Sequence, residues 1–258
     1  MLVFAGCHNE FTRAEFVFLN GAEPETLDPA LITGQPEGRI ANALFEGLMR
    51  FNEKGEPVPG VAERWEISED GRVYTFYLRK NARWSNGAPV TAHDFARSWE
   101  RAMNPATGSA YVSQYFFIEN AEEYAEGRLN DFSKVGVRVV DPYTLQVTLK
   151  HPTAFFLDLC AFITLAPVPV DVIQKYGDNW TKPGNMVCNG AYTLTTWRLN
   201  DHIRLTKNPH YWNRDSVALK TVDALPTSSA NTAFNFYDTG LADLLMDKGL
   251  IPTQLLEE

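Results

Sequence analysis

The stretch that most constrains the fold is residues 189–213, NGAYTLTTWRLNDHIRLTKNPHYWN. On both sides of a polar turn, residues that we expect to face inward alternate with polar neighbours. These residues are Tyr192, Leu194, Thr196, Ile203 and Leu205. A period of two is typical of strands with one buried face, and the Asn-Asp dipeptide between the two runs favours a turn. We therefore expect a half-buried β-hairpin that leads to an aromatic pair, Tyr211 and Trp212.

Strand and helix patterns alternate along the rest of the chain. The strand predictions cover residues 16–20, a hairpin over 61–78, and 135–140, 145–149, 221–225 and 241–246. Apolar residues at helical spacing predict helices over residues 36–49 and 231–239, and a further helix begins near Pro252. Thr91 and Asp94 form a capping-box pattern that starts another helix. Hairpins interleaved with helices predict a mixed α/β fold rather than a strictly parallel sheet.

Size and charge exclude several classes of protein. A chain of 258 residues can bury one large core or two modest ones. Its formal net charge of −9 argues against nucleic acid or an anionic membrane as partner. No apolar run approaches the roughly 18 residues that a membrane-spanning helix needs. The sequence therefore predicts no nucleic-acid partner, and contact with a membrane only through a lipid anchor.

The three cysteines have different sequence contexts. Cys7 follows an apolar start, LVFAG, which resembles the end of a bacterial lipoprotein signal, where a cysteine is lipidated after cleavage. The alternative is a chance cysteine after an apolar start. Cys160 lies in the apolar run FFLDLCAF, which favours a buried free thiol. A disulfide between Cys160 and Cys188 stays open as an alternative.

Patterns of catalysis and metal binding are missing from the sequence. The five histidines are scattered without metal-ligand spacing, and there is no G-x-S-x-G turn or phosphate-binding loop. We predict no metal, no cofactor and no enzyme activity, although a hydrolase whose carboxylates meet only in the fold stays open. Tyr111 follows a loop rich in Pro, Gly and Ser, where it either binds a ligand or anchors the loop.

An ordered set of motifs resembles the oligopeptide-binding family of bacterial extracellular solute-binding proteins. The hairpin carries G-A-Y-x-L followed by I-x-L-x-x-N-P-x-Y-W. The other matching segments are LDP at residues 27–29, LFEGL at 44–48, PGVAERW at 59–65, YTFYLRKNARWSNGAPVTAHDF at 74–95, TLQVTL at 144–149 and WTKPGN at 180–185. Each motif is weak alone, but the ordered set is specific.

The resemblance implies a receptor of the type II periplasmic-binding-protein kind, which closes two lobes over a solute for an ATP-driven (ABC) importer. It implies a first lobe made of residues 16–45 and 170–258, an inserted domain of residues 46–169, and a second lobe that is absent here. Residues 1–15 would be the remnant of a lipoprotein signal and its tether. The expected location is the periplasm or the outer face of the cell membrane, and the expected protein partners are the importer's permease subunits.

The resemblance also implies how a ligand is bound. Family peptide binders hold an extended oligopeptide by backbone pairing between the lobes. The ligand-contacting positions that align here are Thr33, Gly34, Gln35, Tyr111 and Asp247. This chain alone would bind poorly, because one wall of the cleft is absent. A related receptor for a dipeptide, a cell-wall peptide, a metal chelate or a sugar is the alternative within the family.

Overall fold

The computed structural model describes residues 12–256 of the chain, so the lipidation candidate Cys7 lies outside the described residues. The strands in this part are β1 (Phe16–Gly21), β2 (Met49–Phe51), β3 (Pro57–Pro59), β4 (Ala62–Ile67), β5 (Val73–Leu78), β6 (Val137–Asp141), β7 (Thr144–Thr148), β8 (Tyr192–Arg198), β9 (His202–Lys207), β10 (Thr221–Pro226) and β11 (Leu244–Leu245). The α-helices are α1 (Gln35–Leu44), α2 (Ala92–Met103), α3 (Ala121–Ala125), α4 (Phe156–Ala161), α5 (Val170–Tyr176) and α6 (Ala230–Asp238). The predicted mixed α/β class is confirmed.

The larger sheet has five strands in the order β11-β1-β10-β9-β8. β1 is parallel to both of its neighbours, β10 and β11, whereas β9 is antiparallel to β10 on one side and to β8 on the other. The two faces of β1 are buried in different places. Phe18 belongs to the main hydrophobic core, and Val17 and Leu19 pack in a smaller cluster with Ala233 of α6.

The predicted hairpin of residues 189–213 is confirmed as β8 and β9. Asn200 adopts a left-handed backbone conformation, with φ of 58°, which asparagine tolerates in tight turns. A β-bulge between Leu194 and Thr196 breaks the expected alternation. Leu194 is buried as expected, but Thr196 is only half-buried, because the extra residue of the bulge changes the facing of the residues after it.

The second sheet is antiparallel, with four strands in the order β4-β5-β7-β6. Alternate residues of β5 point into the core, as the period of two predicts. Helix α2 covers this sheet with Phe95, Trp99 and Met103 on its buried face. The predicted capping interaction is present, since the Asp94 carboxylate accepts hydrogen bonds from the backbone N–H and the hydroxyl of Thr91, at 2.7 and 2.8 Å.

One continuous hydrophobic core joins the two sheets. Helix α1 contributes Ile40, Ala41 and Leu44 to it. The buried carboxylate of Asp28 adds a polar tie, because it accepts two hydrogen bonds from the Arg101 guanidinium, at 2.6 and 3.1 Å. It also accepts one from the Trp180 indole N–H, at 3.2 Å. Three segments far apart in the chain therefore meet at one carboxylate.

Several sequence-based boundaries are wrong. The helix expected over residues 36–49 ends at Leu44, and Met49 begins β2. The reason is the close packing of Gly47, where a Cβ atom would lie 2.6 Å from the carbonyl oxygen of Cys160. The strand expected over residues 241–246 contains only Leu244–Leu245, and the helix near Pro252 is a 3-10 turn at Thr253–Leu256.

Candidate functional site

The loop before α1 brings the predicted residues Thr33, Gly34 and Gln35 to the start of that helix. Gly34 is the N-cap residue and has an extended backbone, with φ of −115°. A Cβ atom at this position would lie 2.3 Å from Oε2 of Glu37, so a side chain here would require the Glu37 carboxylate to move. Pro36 follows at the first turn, where its missing N–H leaves no helical bond unmade.

Tyr111 is brought to the same loop although it lies 78 residues further along the chain. Its hydroxyl donates a hydrogen bond to the carbonyl oxygen of Thr33, at 3.0 Å. Its ring packs edge-on against Phe162, with the ring centroids 5.4 Å apart. The tyrosine is therefore fixed from two sides, and it links the loop of residues 32–35 to the segment after α4.

A groove of two adjacent cavities runs beside α1, from Gln35 at the start of the helix to Phe45 just after its end. The first cavity, about 270 Å³, is lined by the loop with Thr33, Gly34 and Gln35, and by Tyr111. The second cavity, about 360 Å³, lies beyond the C-terminal end of α1. The two share four lining residues: Asn42, Phe51, Ala161 and Ile163. Four of the five predicted ligand residues thus line one end of a single groove.

Asp247 does not line either cavity, but it contacts a residue that does. Its carboxylate lies 3.3 Å from the guanidinium of Arg39, which lines the first cavity. Hydrogen bonds from the Gly249 backbone and from Arg39 lower the pKa of Asp247. Arg39 is also bound to the backbone carbonyl oxygen of Asn20, at 2.6 Å. Asp247 is therefore placed to orient Arg39 at the wall of the groove.

Glu46 fixes the far end of the groove, and the sequence reasoning missed it. Its side chain is buried, and it accepts hydrogen bonds from the Tyr211 hydroxyl and from the Trp212 indole N–H, the latter at 2.5 Å. Burial raises the pKa of Glu46, while these two hydrogen bonds and the charges of Arg50 and Arg79 lower it. The aromatic pair that ends the hairpin motif is thus the set of donors to a buried carboxylate.

Asn189, the first residue of the hairpin motif, holds the backbone of Glu46. Its side-chain carbonyl accepts from the Glu46 N–H, at 3.1 Å, and its amide nitrogen donates to the Glu46 carbonyl oxygen, at 2.8 Å. The signal that could have revealed this contact was the co-occurrence of the LFEG and P-x-Y-W motifs. Single-sequence reasoning cannot show that these motifs touch, since 143 residues separate Asn189 from Glu46 and 165 residues separate Tyr211 from Glu46.

Within residues 12–256 the side chains form neither a metal site nor a disulfide. This part of the chain contains no group of three or more His, Cys, Asp and Glu residues able to hold a metal ion. Cys160 and Cys188 are both free, so the disulfide alternative is wrong. Burial raises the pKa of the Cys188 thiol to about 12, which leaves it protonated and unreactive at neutral pH.

Across residues 12–256, no helix is both long and apolar enough to span a membrane.

Comparison with known proteins identifies the family. The profile of the bacterial extracellular solute-binding proteins, family 5 (middle part), matches residues 56–256. The chain belongs to this family. Membership of family 5 confirms the resemblance seen in the motifs, and it confirms the predicted class of binding protein rather than enzyme.

Individual family 5 proteins are similar over most of this chain. The periplasmic oligopeptide-binding protein OppA of Escherichia coli K12 is 43% identical over 241 residues, which are 93% of this chain and 44% of that protein. The periplasmic murein peptide-binding protein MppA of the same organism is 41% identical over 224 residues, covering 86% of this chain and 41% of MppA. This chain therefore spans less than half the length of these relatives.

A solved structure of the family has the same fold. The crystal structure of Haemophilus influenzae OppA in complex with the peptide RPPGFSPFR superposes with a TM-score of 0.85 and 38% sequence identity. The match covers 89% of this chain and 45% of that one. The two sheets and the groove described above therefore belong to a fold that this family 5 protein shares.

Proposed function

We propose that this chain provides one wall of the binding cleft of a substrate-binding component of a peptide ABC import system. The observation that carries the proposal is the convergence of Thr33, Gly34, Gln35 and Tyr111 on one groove, with a hydrogen bond of 3.0 Å between Tyr111 and Thr33. The name of the similar OppA protein and its solved peptide complex support a peptide as ligand.

The proposed binding mode is addition of an extended peptide along α1. The loop of residues 32–35 would offer backbone groups to the main chain of the peptide, so that side chains contribute little to affinity. Asp247 would act through Arg39 at the wall of the groove. Because a ligand closes two lobes in receptors of this kind, a single wall buries little of the peptide, and we expect affinity in the millimolar range for this chain alone.

The proposed domain division places a first lobe in residues 16–45 and 170–258 and an inserted domain in residues 46–169. The division is supported by the strands, since those of the five-stranded sheet fall in the first set and those of the four-stranded sheet in the second. We further propose a location in the periplasm or at the outer face of the cell membrane, with Cys7 as lipid attachment site and permease subunits as partners. The similar proteins named periplasmic support the location.

The second candidate function is a receptor of the same family for a cell-wall peptide. It is favoured by the 41% identity to a murein peptide-binding protein. A hydrolase that uses two facing carboxylates gains no support from the groove, because Glu46 is the single carboxylate that lines its two cavities.

The test is an NMR titration of isotope-labelled chain with an alanine pentapeptide and with the same peptide methylated at its backbone nitrogens. If backbone pairing holds the ligand, methylation weakens binding; equal affinities would contradict the proposal. Gly34→Ala should weaken binding, because the added methyl group lies in the loop that lines the first cavity and requires the Glu37 carboxylate to move. Glu63→Gln, an exposed substitution in β4 of the four-stranded sheet, is the control and should bind like the parent chain.

A further inference from the structure

The second cavity of the groove lies away from the residues predicted to bind the ligand. It lies at the C-terminal end of α1 and is lined by the segment of residues 45–51 together with Gly190, Ala191 and Tyr211. None of the five predicted ligand residues lines it. Its volume, about 360 Å³, exceeds that of the first cavity. A ligand that begins at the loop of residues 32–35 and follows α1 would end in this space.

One carboxylate, Glu46, and one cation, Arg50, line the cavity, and they differ in the number of hydrogen bonds that their side chains make. Both carboxylate oxygens of Glu46 accept hydrogen bonds from aromatic donors, Tyr211 and Trp212. The exposed Arg50 also lines the cavity, and within residues 12–256 its side chain has neither a hydrogen bond nor a close ion pair. The charge of Arg50 acts to lower the pKa of both Glu46 and Tyr211, which line the same cavity.

The other arginine of the groove is engaged differently. Arg39, in the first cavity, is paired with Asp247 and bound to the backbone of Asn20. Its donors are therefore committed to the protein. Arg50 has its guanidinium donors available, and a guanidinium binds carboxylates through two parallel hydrogen bonds. The second cavity thus offers an uncommitted carboxylate-binding group, whereas the first cavity does not.

The dimensions of α1 indicate which ligands would reach Arg50. A helix of 10 residues is about 15 Å long, at about 1.5 Å per residue. An extended peptide rises about 3.3 Å per residue, so a ligand of four to five residues spans the same distance. A dipeptide that pairs with the loop would leave the second cavity empty.

We propose that the second cavity is a subsite for a carboxylate of the bound peptide, with Arg50 as the residue that binds it. The inference rests on the proposed peptide-binding function. The carboxylate is either the chain terminus of a peptide of four to five residues or an acidic side chain near that end. Arg50 is a specificity-determining residue that adds affinity for anionic ligands without taking part in main-chain pairing.

The experiment compares three pentapeptides by NMR titration of this chain: alanine pentapeptide as free acid, the same peptide as C-terminal amide, and an amide with glutamate at the last position. The free acid should bind more tightly than the plain amide. Arg50→Gln should weaken the free acid about tenfold and leave the plain amide unchanged, since a hydrogen-bonded charge is lost. The glutamate amide tells terminal from side-chain carboxylates, because it regains affinity only if the subsite accepts either source.

Two further variants make the result specific. Arg50→Lys keeps the positive charge and should retain part of the preference for the acid. Arg138→Gln removes an exposed arginine of β6 and should change neither affinity. Equal weakening of acid and amide by Arg50→Gln, or no effect of it on either, would overturn the subsite alone. The absence of shifts with any peptide at millimolar concentration would overturn the proposed function and the subsite with it.

Discussion

Asp28 and Glu46 are both buried carboxylates that tie distant segments together, but they have different partners. Asp28 is paired with a charged group, the Arg101 guanidinium, and also accepts from the indole of Trp180. Two hydrogen bonds from a guanidinium give this buried carboxylate a charged partner at close range.

Glu46 accepts its side-chain hydrogen bonds from neutral donors, Tyr211 and Trp212. Within residues 12–256 no arginine or lysine lies at ion-pair distance from it, and burial raises its pKa. Asp28 is therefore held by a charged partner, whereas Glu46 is held by neutral donors and has a raised pKa. Since Glu46 lines the second cavity, the carboxylate without an ion pair is the one that lies at the groove.

The largest expected effect is at the charged tie. Asp28→Ala leaves the half-buried Arg101 without its partner, and we expect the free energy of unfolding to fall by about 3–5 kcal/mol. Urea denaturation followed by tryptophan fluorescence measures it. Asp171→Ala, which removes an exposed ion pair with Arg97, is the control and should have little effect. Similar losses in the two variants would refute the distinction between buried and exposed pairs.

A smaller loss is expected at the neutral tie. Tyr211→Phe removes one donor to Glu46 without changing the aromatic ring, and should lower the free energy of unfolding by about 1–3 kcal/mol at neutral pH. The loss should shrink in acid, because a protonated carboxyl needs fewer donors. Tyr237→Phe removes a half-exposed hydroxyl and should leave stability unchanged. A loss at Tyr211 that exceeds the loss at Asp28 would reverse the comparison.

The pH dependence of the free energy of unfolding tests the raised pKa of Glu46. The folded pKa of Glu46 lies above its unfolded value of 4.5, so its contribution is complete below that pH and is lost as pH rises through the folded pKa. The stability advantage of the parent chain over Glu46→Gln should therefore decrease with rising pH, by at most about 1.4 kcal/mol per unit. Glu63→Gln, at an exposed position, serves as control, and its free energy of unfolding should follow the same dependence on pH as that of the parent chain. An advantage that grows with pH would disprove the raised pKa.

The smallest expected effect is at the first cavity. Tyr111→Phe removes the hydrogen bond to Thr33 in an exposed setting, so the free energy of unfolding should fall by only about 0.5–1.5 kcal/mol. The NMR shifts of residues 33–35 should change more than the stability does, because the loop loses its link to the segment after α4. A variant whose loop signals stay in place would show that the tyrosine does not position the loop.

Local patterns were sufficient to predict most elements. The hairpin of β8 and β9, the capping of α2 and the end of α6 before Gly240 all depend on contacts within a few residues, which a single sequence displays. The early end of α1 at Leu44 was not predictable in this way. It depends on Gly47 packing against the backbone of Cys160, a contact between residues 113 positions apart.

The residues of the candidate site also differ in how far the sequence could predict them. Thr33, Gly34, Gln35 and Tyr111 came from the resemblance to the family and lie together on the groove. Glu46 and Asn189 were missed because their roles exist only when two distant motifs meet. Thr196 was misassigned because a β-bulge leaves no clear trace in the alternation of polar and apolar residues.

The central claim is that an extended peptide binds along α1 beside the loop of residues 32–35. The most direct test is an NMR titration with an alanine pentapeptide that carries a nitroxide label, which broadens the signals of nearby amides. The account predicts selective broadening of Gly34, Gln35 and Tyr111, with the signals of Glu63 and Arg138 on the four-stranded sheet unchanged. Broadening centred on the four-stranded sheet, or spread evenly over the chain, would contradict it.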